Sequence, residues 1–154
     1  MKDSVFGEIN YTYGWEGETQ LEFMGKEYDV YLNIEADGEE EPTDAQREEY
    51  TVFRSKWDAA MQRKTLEAIL AYYNKLREEL GYDVEENEDY PAVDSAEKLL
   101  EMIEPAMIEV PYDDIFEGRC VCLAFTCTWD GENGIGIRFI NEEIDEIGYN
   151  DVAC

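Results

Sequence analysis

The stretch Arg119 to Ile140, "RCVCLAFTCTWDGENGIGIRFI", holds two apolar runs joined by a short turn rich in glycine and in acidic or amide residues. If the first run is extended, Val121, Leu123, Phe125, Cys127 and Trp129 share one face, and Cys120, Cys122, Ala124, Thr126 and Thr128 share the other. Neither face is charged, so the run predicts a central strand covered at least partly on both sides. Asn133-Gly134 is the strongest short-range hairpin signal, Gly131 and Gly134 suit positive φ, and Ile135 resumes the apolar pattern. A strand hairpin therefore forms the last third of the chain, joined by strands at Met107 to Pro111 and Ile144 to Ile147.

Upstream the period changes. Tyr50, Phe53, Trp57, Met61, Ile69, Tyr73, Leu76 and Leu80 recur at helical steps, apart from a wider gap at Thr65. Thr43 with Gln46 forms a capping box, Asp44 lies where the helix dipole favours negative charge, and Gly81 suits the C′ position. The stripe predicts one helix from Thr43 to Leu80. Its length of roughly 38 residues also admits a break between Ser55 and Asp58. A shorter helix is predicted from Asp94 or Ser95 to Ile103, with Leu99, Leu100 and Ile103 facing inward and Pro105 ending it.

The first third alternates. Val5 to Tyr13 reads as one strand, "GWEGE" as a turn, and Leu21 and Phe23 as its continuation. After a second turn at Met24 to Glu27, Tyr28, Val30, Leu32, Ile34 and Ala36 point one way, and Asp29, Tyr31, Asn33 and Glu35 the other. The sum is one domain over residues 1–154, of the α+β class. It has an antiparallel sheet of about six or seven strands, with one long and one short helix mainly on one face.

The charge bounds the partners. There are 39 Asp plus Glu against 12 Lys plus Arg, a net charge of -27 at pH 7. Such a surface repels phosphate backbones and anionic membrane leaflets, which bind through Lys and Arg, so nucleic acid and membrane are not expected partners. A basic protein such as a toxin is, because a field of this sign steers cations toward it. The acidic surface otherwise serves solubility or salt adaptation. No apolar run reaches the ~20 residues of a membrane span, and the first residues lack the apolar core of a signal peptide, so a cytoplasmic location is expected.

No histidine is present, which removes Ser-His and Cys-His pairs and the commonest general base. Ser4, Ser55 and Ser95 fall outside any nucleophile elbow, and no glycine-rich loop follows a strand and opens a helix. Close carboxylate pairs are expected by chance in so acidic a chain, and so no enzyme and no cofactor are predicted. Cys120, Cys122, Cys127 and Cys154 form a poor disulfide framework and read as free thiols. Cys120 and Cys122 lie about 6.6 to 6.8 Å apart on one strand face. The Cys-x-Cys spacing lacks a zinc knuckle's longer spacer, so buried thiols packing as small hydrophobes are preferred. In the turn, Asp130, Glu132 and Asn133 offer hard oxygen ligands for a divalent cation or small ligand. This reading is the alternative to a purely structural hairpin, which is preferred because an EF-hand loop is longer and joins helices.

The order "FGEINY", "GWEGETQLEF", "DAQREEYTVF", "AILAYYNKL" and "CLAFTCTWDGENGIGIRF" resembles a family of bacterial domains of unknown function, over nearly the whole chain. The resemblance implies a single α+β domain with a binding function, in some members as immunity proteins encoded beside toxins. Asn133 stands where that family often carries a histidine. An immunity role fits the charge, since carboxylates can occupy the phosphate sites of a basic nuclease. The expected contact residues are Glu39, Glu40, Glu41, Asp83, Glu85 and Glu86, with Tyr31 and Tyr90 as exposed aromatic anchors.

Overall fold

The computed structural model describes residues 1–82, 87–112 and 116–150. Strands β1 (Lys2–Asp3), β2 (Gly7–Glu8), β3 (Asn10–Tyr11), β4 (Trp15–Phe23) and β5 (Lys26–Ile34) come first. Helices α1 (Asp44–Lys56), α2 (Ala59–Glu79) and α3 (Ala96–Leu99) follow, then β6 (Ile103–Val110), β7 (Cys120–Cys127), β8 (Ile135–Ile140) and β9 (Glu143–Gly148). A seven-stranded sheet runs in the order β3-β4-β5-β6-β7-β8-β9, and β1 pairs separately with β2. The fold is α+β.

All neighbours in the large sheet are antiparallel except β5 and β6, which are parallel. That pair departs from the antiparallel sheet expected, because the three helices lie between these strands and form the crossover that parallel pairing needs. One sheet face meets the helices. Leu21, Phe23, Val30, Leu32, Ile34, Ile108, Leu123, Phe125, Ile137 and Phe139 form a single core with Phe53, Trp57, Leu66, Ile69, Tyr73 and Leu99. In β7 every residue from Cys120 to Phe125 is buried, as its uncharged faces predict.

The long helix is two helices. Asp58 caps α2, its side chain accepting from the Met61 N–H at 2.9 Å, so the chain breaks within the Ser55 to Asp58 window. The break lets Trp57 turn its indole onto the sheet, where Nε1 donates to the Glu22 carbonyl at 2.6 Å. The Thr43 and Gln46 capping box forms as predicted. So does the cap at Gly81, φ 79°, with the Tyr82 N–H donating to the Arg77 carbonyl at 2.8 Å. The third helix is shorter than expected, because Ile103 already pairs with Cys127 in β6. Pro105 lies inside β6 beside a register shift, where a missing N–H is tolerated.

Val5 to Tyr13 is not one strand. Asp3 Oδ2 accepts from the N–H groups of Val5 and Phe6 at 2.9 and 3.0 Å, folding the chain into the β1–β2 pair before β3 begins. The "GWEGE" segment belongs to β4 rather than to a turn, since Trp15, Glu16, Gly17 and Glu18 all pair with β5. Because β3 pairs only with Trp15 and Glu16, the rest of the β4 edge lacks a strand neighbour among the described residues. Helix α1 closes it: Arg54 Nη2 donates to the Gln20 carbonyl at 2.7 Å, beside the Trp57 contact to Glu22.

Cys120 and Cys127 are buried thiols that form no disulfide, and burial pushes the Cys120 thiol up to about 12. Cys122 is disulfide-bonded, which corrects the expectation of a free thiol there. Cys154 lies outside the described residues. Periodicity alone carries no information on which cysteine finds a partner.

Candidate functional site

The predicted turn forms as a hairpin: β7 and β8 pair from Cys120 with Ile140 to Phe125 with Ile135. Within the loop the Asp130 carboxylate accepts from the Asn133 backbone N–H at 3.0 Å and from its side-chain Nδ2 at 3.0 Å. These bonds hold the carboxyl below its usual range. Gly134 sits at φ 57°, and a Cβ there would lie 2.6 Å from the Phe125 carbonyl oxygen, so the closing turn requires glycine. Glu132 is exposed. The Asp130 carboxylate is thus engaged by two donors of Asn133, and among the described residues no group of three or more His, Cys, Asp or Glu is placed to hold a metal.

The other predicted residues separate. Glu39, Glu40 and Glu41 are exposed on the loop after β5, and the Glu40 carbonyl accepts from Trp15 Nε1 at 2.8 Å, which ties that loop to the start of β4. Tyr31 is 66% exposed, as expected of an anchor. Tyr90 is not: it is half-buried against the core and beside the Tyr82 ring at 5.3 Å, because its segment packs on Arg77, whose Nε donates to the Tyr90 carbonyl at 2.9 Å. Asp83, Glu85 and Glu86 lie outside the described residues.

What the fold gathers around Tyr31 is a different acidic set. Alternation sends the apolar side chains of β4 and β5 to the helices and leaves Glu16, Glu18, Asp29, Tyr31 and Asn33 on the opposite sheet face. Register places Glu18 opposite Tyr31 and Glu16 opposite Asn33. Among the described residues neither Glu16 nor Glu18 has an ion pair. A cleft of about 510 Å³ opens here, lined by Phe6, Glu8, Asn10, Glu16, Glu18 and Tyr31. A second, of about 370 Å³, is lined by Tyr13, Gly14, Glu16, Asn33, Glu35 and Ala36, and Tyr13 is 99% exposed.

Opposite Asn33, one of the residues lining the second cleft, stands Glu109 of β6, with only 9% of its surface exposed. Asn33 Nδ2 donates to Glu109 Oε1 at 3.3 Å. Burial, then the charge of Glu35 and a hydrogen bond with it, push the Glu109 carboxyl up to about 8, against the opposing effect of Asn33. A carboxyl raised this far favours its protonated form near neutral pH. The sequence marks Asn33 and Glu35 as solvent-facing on β5, but joining Glu109 to them depends on the parallel β5–β6 register, which pairs Asn33 with Glu109.

Fold and site together define a compact α+β protein whose open sheet face is acidic and aromatic. The chain belongs to the DUF6985 family, a domain of unknown function, whose model matches residues 5–154. Among curated proteins and among solved structures no match was found. Among the described residues no helix is long and apolar enough to cross a membrane.

Proposed function

We propose that this protein is a non-catalytic binding module that engages a basic protein partner through the open face of β4 and β5. In this reading it is a bacterial, cytoplasmic inhibitor or immunity protein whose target is a basic, toxin-like protein. The observation that carries it is the pairing of Glu18 with Tyr31 across the two strands, on a face where Glu16 and Glu18 have no ion pair among the described residues and Tyr31 is 66% exposed. An exposed tyrosine set among unpaired carboxylates supplies a rigid contact area and a field that attracts Lys and Arg. The Glu39 to Glu41 loop, tied by Trp15, adds its exposed charges beside that face.

The test is capture of partners on the tagged full chain at low and moderate salt, compared with Glu16→Lys/Glu18→Lys and Glu39→Lys/Glu40→Lys/Glu41→Lys variants. A single basic protein, retained by the wild type, released by salt and lost in the first variant, is the expected result. Retention indifferent to salt and to both charge reversals rules the electrostatic reading out.

A further inference from the structure

We propose that the outer edge of β9 takes up an extended segment of a basic protein as an added strand, one in which Lys or Arg alternates with apolar side chains. This surface is separate from the β4 and β5 face, because β9 ends the sheet four strands from β5, about 19 Å away.

The two ends of the sheet differ. Arg54 and Trp57 close the β4 edge by donating to the Gln20 and Glu22 carbonyls. No such cover lies over β9: it pairs with β8, and among the described residues no hydrogen bond reaches its backbone from any other element. Its outward N–H and C=O groups are therefore a template on which a further strand can pair.

Register decides what that strand would meet. Ile144 stands opposite Phe139 and packs with the core beneath α2, whereas Glu143 and Glu146, opposite Ile140 and Arg138, lie on the open face. A register shift leaves Asp145 with no opposite residue of its own, and Arg138 pairs with both Asp145 at 2.9 Å and Glu146 at 2.7 Å. One guanidinium thus answers two carboxylates. Among the described residues Glu143 has no ion pair, so the edge keeps a negative charge on its open side.

On the helix side a groove of about 320 Å³ lies between α2 and the start of β9, lined by Met61, Thr65, Phe139 and Ile144, with exposed Lys64 at its rim. The neighbour of Ile144 on an added strand would send its side chain here, where an apolar group is buried and a second cation is repelled. The same charges oppose a second copy of this chain. Antiparallel pairing of two β9 edges would set Glu143, Asp145 and Glu146 of one molecule against those of the other, each chain carrying a net charge of -27. A cationic, alternating strand matches both sides of the edge.

The experiment titrates the full-length chain at low salt with a capped octapeptide of alternating lysine and valine. A second peptide has every backbone nitrogen methylated, which keeps the charges and removes the donors. Nuclear magnetic resonance should show amide shifts, slowed hydrogen exchange and cross-strand contacts over Glu143 to Gly148, all lost with the methylated peptide. Glu143→Lys/Glu146→Lys should weaken binding about tenfold or more. Met61→Trp fills the groove with the charges in place and should also weaken it. Binding that the methylated peptide reproduces, or that both variants leave unchanged, overturns the proposal. So does an absence of binding by the alternating peptide, and so does dimerisation of the wild type through β9, which would make a second copy the occupant. Shifts confined to Glu16, Glu18 and Tyr31 overturn the edge site while the β4 and β5 reading stands.

Discussion

Gln46 Nε2 donates to the Glu35 carbonyl at 2.7 Å and to the Pro111 carbonyl at 3.1 Å. One carboxamide, 1% exposed, thereby joins the first turn of α1 to the ends of both parallel strands. Its Oε1 meanwhile accepts from the Thr43 N–H at 3.0 Å as half of the capping box. Replacing Gln46 by Ala removes the side-chain half of the capping box, while Thr43 Oγ1 keeps its bond from the backbone N–H of residue 46, and leaves two buried carbonyls without that donor. The expected loss is about 2 to 3 kcal/mol in urea denaturation. Gln46→Glu should cost at least as much, since a carboxylate cannot donate to either carbonyl. A loss of only a few tenths for Ala would show that water replaces the amide.

The protonated Glu109 predicts a stability that depends on pH in a definite direction. Its folded-state value is raised from the ordinary 4.5 to about 8, so between those limits the unfolded chain is ionised while the folded chain keeps the proton. Unfolding then releases a proton, and stability falls as pH rises, by up to about 1.4 kcal/mol per pH unit from this group. Below that range Asp3 acts oppositely. Burial raises it, but hydrogen bonds from Arg47, Phe6 and Val5 hold its carboxyl below the usual range, and stability is lost as that range is crossed downward. Chemical denaturation across pH should show Glu109→Gln flatter than wild type from weakly acidic to weakly alkaline conditions. Equal slopes would mean that the carboxyl is ionised throughout.

The loop at Asp130 is held by geometry, and its substitutions separate a turn from a cation site. Gly134→Ala meets both a positive φ and the Phe125 carbonyl, and should destabilise by at least about 2 kcal/mol. Asp130→Ala loses the acceptor for Asn133 and should cost about 1 kcal/mol. A divalent-cation panel should leave the melting temperature of the wild type unchanged. A calcium-dependent rise abolished in Asp130→Ala would instead establish the ligand-binding reading.

The sealed edge of β4 is expected to limit self-association. Trp57→Phe keeps the ring packed near Phe53 and Phe23 but removes the donor to Glu22, at a cost of about 1 to 3 kcal/mol. Combined with Arg54→Ala, which frees the Gln20 carbonyl, it leaves an open edge. Sedimentation should then show concentration-dependent association that the wild type lacks. A monodisperse double variant would argue that the acidic side chains of β4 keep the edge apart by themselves.

Local chemistry was legible wherever the signal lies within a few residues. Asn133-Gly134 announces its hairpin, Thr43 and Gln46 their capping box, Gly81 its helix end, and the uncharged faces of β7 its central place, because backbone geometry and side-chain periodicity decide these over short range. The break at Asp58 was visible only as a permitted window, since a cap competes with a continuing stripe and the contact of Trp57 with Glu22 decides between them. The candidate site was half legible. Alternation puts Tyr31, Asn33 and Glu35 on the wet face of β5, yet composition draws attention to Glu39, Glu40 and Glu41, where the acidic residues are adjacent in sequence. Glu16, Glu18 and Glu109 come from other strands and meet Tyr31, Asn33 and Glu35 only through pairing register. Register, and with it the parallel crossing that places Glu109 beside Asn33, is set by the packing of the helical crossover against the whole sheet, a long-range balance that no short stretch of sequence encodes.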